Sequence, residues 1–209
     1  MNWSLVQVAS LILSSAIDLT GISLQAAQES PEDQPLITVH VYNYAHIPAW
    51  RLARTQKRVE GFFLGAKIRL RWADTPLPSI NEPAPPVPAW NPDPSDFVLK
   101  IISSFPESSG QFRGPVFGFA AGTQVTIFNE RTEDVAINAE VTHPEILAIA
   151  IAHELGHALL GPNSHSDTGI MRPRLQPADF RKAQCRTLAF TPEQADRMRR
   201  QVGQLMTSR

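Results

Sequence analysis

Cysteine is nearly absent from this chain: of 209 residues only Cys185 carries a thiol, so no internal disulfide can hold the fold together. A lone thiol is expected to pack as a small buried hydrophobe. It also lies downstream of all six histidines, outside any metal-ligand spacing with them. An excess of one charge is missing too. Lysine and arginine number 19 against 20 aspartates and glutamates, a net charge of -1, and such a balance gives no reason to expect nucleic acid or an anionic membrane as a partner. Arg197, Arg199 and Arg200 sit among Glu193 and Asp196 and read as a solvated helix face. No stretch is apolar for long enough to span a bilayer stably. Residues 5 to 17 come nearest, and with the small residues at 24 to 27 they read as an export signal over residues 1 to 27. No lysine or arginine precedes that run and Asp18 follows it closely, so a hydrophobic N-terminal helix packed on the domain is the other reading. The expectation is an exported protein, extracellular or periplasmic, monomeric and without a membrane span.

The length suits a single domain over residues 28 to 209, large enough to bury a core. Residues 36 to 42 read as a strand. Pro48 opens a helix over residues 49 to 64, with Trp50, Leu52, Ala53, Val59, Phe62 and Phe63 on its apolar face. Residues 67 to 72 alternate charged and apolar, as in a half-covered strand. His40 and His46 have no partner at metal spacing and read as structural. Proline is abundant in one place: residues 76 to 94 hold eight in nineteen, which excludes helix and interior strand and leaves an extended surface loop. Strands are expected at 97 to 103, 116 to 121 and 124 to 129, the last two as a hairpin that makes one pair in the sheet antiparallel.

Thr142-His143-Pro144-Glu145 reads as a helix start, with a threonine N-cap, proline in the first turn and glutamate at the capping-box position. His143 is expected at the surface. Residues 146 to 152 are apolar all round, so this helix is buried on nearly every side. It runs directly into His153-Glu154-Leu155-Gly156-His157, where the spacing puts both histidines one turn apart on one face, able to grip one metal ion. Zinc suits imidazole nitrogen, and a catalytic zinc takes three protein ligands and keeps a fourth position open. Glu154, beside that face, can reach a water at the metal without being a ligand, which is the place for a general base. Gly161 and Pro162 end the helix. A last helix is expected at 192 to 206, capped by Thr191-Pro192-Glu193, with Ala195, Met198, Val202 and Leu205 packed inward.

These residues resemble the metzincin clan of zinc endopeptidases, in a matrixin-like form. His153, Glu154 and His157 match its motif, Gly161 its helix-ending glycine, His165 its third ligand, and Gly169-Ile170-Met171-Arg172-Pro173 its methionine turn. The resemblance implies an α+β, zincin-like fold: a twisted mixed sheet with an antiparallel edge strand, packed on a long active-site helix, and a small C-terminal helical part. It implies Zn2+ as cofactor, His153, His157 and His165 as ligands, and Glu154 as catalytic base, with Met171 as a floor under the metal. In the clan glycine and histidine follow the second ligand by three and six residues; here Gly161 and His165 follow His157 by four and eight. Either the turn is two residues longer and His165 still reaches the metal, or the third ligand is Asp167, Asn163 or Glu193.

The function that follows is a zinc-dependent endopeptidase acting on a peptide or protein, with the edge strand at residues 116 to 121 holding an extended substrate by strand addition. Two alternatives remain open. One is an amidase on a formyl group or cell-wall amide; the deformylase version would need a cysteine ligand upstream of His153, and none is there. The other is a non-catalytic binding domain in which zinc is structural. Only eight residues separate the possible cleavage site from the first strand, so no propeptide is expected.

Overall fold

The computed structural model describes residues 33–75, 93, 95–104 and 116–207. The expected export signal, nearly all of the proline-rich segment and residues 110 to 114, which their glycines mark in the sequence as an expected loop, lie outside the described residues. Ten elements follow one another: β1 (Leu36–Asn43), α1 (Ala49–Gly65), β2 (Arg69–Asp74), β3 (Asp96–Ile102), β4 (Gly118–Ala121), β5 (Gln124–Phe128), α2 (Asn129–Ala139), α3 (His143–Leu160), α4 (Pro177–Gln184) and α5 (Pro192–Thr207).

The strands form one mixed sheet in the order β2-β1-β3-β5-β4. β2, β1, β3 and β5 run parallel, and β4 closes one edge antiparallel to β5 through a tight turn at Gly122. Alternation sets the sheet's inner face: Ile37, Val39 and Val41 of β1, Phe97, Leu99 and Ile101 of β3, and Val125 and Ile127 of β5 are almost fully buried. Parallel β1 and β2 need a crossover, and α1 supplies it, turning Leu52, Val59, Phe62 and Phe63 inward. Trp50, expected on that apolar face, stands 64% exposed, because helical spacing puts it opposite the buried stripe of Leu52, Thr55, Val59, Phe62 and Phe63.

At the centre lies α3. Every residue from Ile146 to Ala152 is buried, so the helix packs against α1, α2, α5 and the β4–β5 edge at once. Each fully buried Ile or Leu here is worth roughly 1.5–3 kcal/mol of apolar burial, so tertiary packing anchors the helix far more firmly than propensity does. Its start differs from the expectation. Thr142 is the N-cap residue but its side chain makes no capping bond: Glu145 N–H donates to the Thr142 carbonyl at 3.0 Å, and the Glu145 carboxylate accepts from Arg58 Nε of α1 at 2.7 Å. His143 is half-buried rather than at the surface: its ring meets Thr132 of α2 at 3.0 Å.

Two helices, α2 and α4, have no counterpart in the sequence reading. Around α2 the inward residues are Asn129, Thr132 and Ala136, a mostly polar stripe without an apolar period. A capping box between Gln176 and Asp179 closes the short α4. Cys185, just after α4, is exposed and not packed inside. The arginines of α5 are only partly a solvated face, since Arg197 donates to the Leu160 carbonyl at the end of α3 and Arg199 to that of Ala66. Among the described residues no helix is long and apolar enough to cross a membrane.

Candidate metal centre

The last turns of α3 carry His153, Glu154 and His157 out of the apolar core to the floor of a cleft. Gly161 then takes φ +85°, a conformation glycine adopts without strain, and the chain doubles back. That reversal brings His165 over the helix. His157 Nε2 lies 3.1 Å from Nε2 of His153 and 3.1 Å from Nε2 of His165, and the candidate ligand atoms of all three lie within 4.8 Å of one another. The two extra residues between His157 and His165, one before Gly161 and one after it, are thus absorbed by the end of the helix and the turn.

Such a cluster is either a set of hydrogen bonds or a metal site, and the far sides of the rings decide. His153 Nδ1 lies 2.8 Å from the Ile170 carbonyl, which can only accept, so Nδ1 carries the proton and Nε2 a lone pair. His157 Nδ1 lies 3.0 Å from Ser164 Oγ, whose own proton goes to the Gly161 carbonyl at 2.8 Å. The hydroxyl must therefore accept from His157, and again Nε2 is bare. Two lone pairs at 3.1 Å repel unless something positive lies between them. Tetrahedral zinc with Zn–N near 2.0–2.1 Å holds its imidazole nitrogens roughly 3.3 Å apart, close to the spacing seen. The residues present fit a metal ion.

Electrostatics agree with neutral rings. Burial, opposed by the bond to Ile170 and assisted by the neighbouring His157 and His165, pushes His153 down to about 4. Burial and His165 lower His157 as well. Glu154 is 7% exposed, and desolvation raises its carboxyl to about 7. It shares the cleft, about 1040 Å³, with the three histidines, the β4 edge and the apolar side chains of Phe117, Phe119, Val135 and Phe180.

Of the other candidates for third ligand, the two carboxylates are placed elsewhere. Asp167 is exposed and outside the histidine group, and Glu193 is fully exposed, its carboxyl lowered by hydrogen bonds to its own backbone and to Thr191. Asn163 lines the cleft from a left-handed turn with φ +59°. Met171 is completely buried beneath the motif, against Gly156: a Cβ at that glycine would overlap Met171 Sδ.

Sequence reasoning missed Ser164 and Gln194. Ser164 carries no pattern that marks it. Gln194 does, because Thr191-Pro192-Glu193-Gln194 is a Thr-x-x-Gln capping box, and the box closes: Gln194 N–H donates to Thr191 Oγ1 at 3.3 Å and Thr191 N–H to Gln194 Oε1 at 3.1 Å.

No family model matches this chain, and no curated protein matches it. Among solved structures it is similar to an archaemetzincin from Methanopyrus kandleri, at 14% identity over 81% of this chain and 97% of that one, with a TM-score of 0.49. It is also similar to a zinc-dependent peptidase from Methanocorpusculum labreanum strain Z, at 15% identity over 78% and 99% of the two chains, TM-score 0.44. Likenesses this distant transfer no activity, and the chemistry has to be read from the chain's own residues.

Proposed function

We propose that this chain is a zinc-dependent endopeptidase in which His153, His157 and His165 hold the ion through Nε2 and Glu154 is the general base. The observation that carries the reading is the meeting of the three histidine Nε2 atoms, two of them with their protons fixed on the far side, beside a buried carboxylate in an open cleft. Zinc bound there supplies Lewis acidity, polarising the scissile carbonyl and making water acidic enough to give up a proton near neutrality. Glu154 takes that proton on its carboxylate and returns it to the leaving amine. His153 and His157 are kept in the binding tautomer by Ile170 and Ser164.

Two features support a peptide substrate and catalysis. The β4 edge lies along the cleft, and an edge strand offers backbone donors and acceptors to an extended chain. Among the described residues the group contains three histidines and no further Asp, Glu or Cys, whereas a closed structural zinc site takes four protein ligands.

The test is digestion of a peptide library by the full chain, purified without a histidine tag, beside Glu154→Gln. Cleavage should stop on chelation and return with zinc, while Glu154→Gln keeps its zinc and loses about 10²–10⁴ in kcat. Undiminished cleavage by Glu154→Gln would remove Glu154 from the mechanism. Hydrolysis of a formyl or cell-wall amide with no peptide cleavage would favour the amidase reading.

A further inference from the structure

His153 and His157 are each clamped by a hydrogen bond at Nδ1, but among the described residues the ring of His165 has no such partner. His165 is also exposed and rides on a loop, so the position of its Nε2 depends on how the backbone around it is held. One side chain holds it from both sides. Gln194 Nε2 donates to the carbonyl of Ser164, the residue before His165, at 3.2 Å, and to Oγ of Ser166, the residue after it, at 3.0 Å. Ser166 must be the acceptor, since its own proton goes to the Thr168 carbonyl at 2.7 Å. Ser166 N–H in turn donates to the Met171 carbonyl, tying the loop to the turn that fixes His153.

Resting on the zinc reading above, we propose that Gln194 is a positioning residue for the metal site: its carboxamide fixes the loop that carries His165 and, through Ser164, the hydroxyl that orients His157. The amide is suited to both of its tasks. Its oxygen closes the capping box of α5 by accepting from Thr191 N–H, and its NH2 group supplies the two donors that the loop's oxygens require. Only 6% of the residue is exposed, so water does not replace these bonds cheaply. Glutamate, the other common residue at this capping position, would serve the helix equally well. It would, however, set a carboxylate oxygen against the Ser164 carbonyl.

That difference separates the two roles. Zinc affinity is measured by competition with a chromophoric chelator on the full chain, its Gln194→Glu and Thr191→Ala variants and His165→Ala, with thermal unfolding of each metal-free protein. Gln194→Glu keeps the helix cap but buries a carboxylate against the Ser164 carbonyl, so it should unfold below the parent temperature while binding zinc about 10- to 100-fold more weakly, the usual cost of losing a group that orients a ligand. Thr191→Ala removes the hydroxyl half of the cap, should unfold at lower temperature, and should keep the parent zinc affinity. Parent-like zinc affinity in Gln194→Glu overturns the proposal alone. A parent chain that binds no zinc, or a His165→Ala chain that binds it fully, overturns the three-histidine reading on which it rests. Should Gln194→Glu not fold, Ser166→Ala decides on the same scale: it removes one accepting oxygen from Gln194 without touching the helix, and parent-like affinity there also overturns the proposal.

Discussion

At the scale of single residues, Gly156 shows how closely the site depends on volume. It sits between the two motif histidines on α3 with its α-carbon against Met171 Sδ and the Phe190 ring, so even a methyl group has no room. Met171 is fully buried and cannot swing into solvent, and its neighbour Ile170 provides the carbonyl that holds the His153 proton. Gly156→Ala should therefore cost about 1–3 kcal/mol as overpacking. It should also weaken zinc binding, because the methionine turn has to move. Calorimetry and chelator competition on the variant check both effects, and a variant with parent stability and parent affinity would show that the turn yields without disturbing His153.

At the scale of elements, α2 and α3 are joined by a polar contact that should make their packing sensitive to pH. Thr132 gives its proton to the Asn129 carbonyl at 2.7 Å, so its oxygen accepts from His143 Nε2, and His143 Nδ1 is left buried with no partner among the described residues. Protonating that nitrogen is unfavourable in the fold. Burial lowers the pKa of His143, opposed by Glu133 and assisted by Arg51. The unfolded chain then binds the proton more readily, so this stability is present above about pH 6.5 and is lost as pH falls through the lower folded value. His143→Gln should lose less thermal stability than the parent between pH 7.5 and 5. Identical slopes would mean the histidine accepts its second proton in place.

The same elements show what a sequence gives away. The strands β1, β3 and β5 and the helix α3 were legible because their apolar patterns match their burial, and the hairpin because Gly122 sits between two such runs. The polar inward stripe of α2, by contrast, imitates a loop. In the candidate site His153, Glu154 and His157 follow from helical spacing alone. The meeting of His165 with them depends on a stretch from His157 two residues longer than the metzincin pattern, which only the positive φ of Gly161 and the hydrogen bonds of Gln194 make visible. Ile170 and Ser164 act through a backbone carbonyl and an unremarkable hydroxyl, and neither group has a signature in residue type.

At the scale of the whole molecule, the sheet and α3 form a frame on which the loop carrying His165 is laid from outside. Arg58 of α1 binds Glu145 of α3 and the Ala183 carbonyl of α4, Arg199 of α5 reaches the turn after α1, and Arg197 caps the end of α3. Elements distant in sequence thus converge on the helix that carries the histidines. An ion bound to the folded chain alone adds stability by mass action, about 2.7 kcal/mol at a hundred times its dissociation constant. It should also be released on acidification, because the ligating nitrogens must stay unprotonated. The most direct measurement is the zinc content per chain of extensively dialysed, tag-free protein, for the parent and for His165→Ala. About one zinc ion per parent chain, with a sharp loss in His165→Ala that folds normally, is the result expected of a three-histidine site. Full retention in His165→Ala would remove that ligand, and folded parent protein without zinc would contradict the account at its centre.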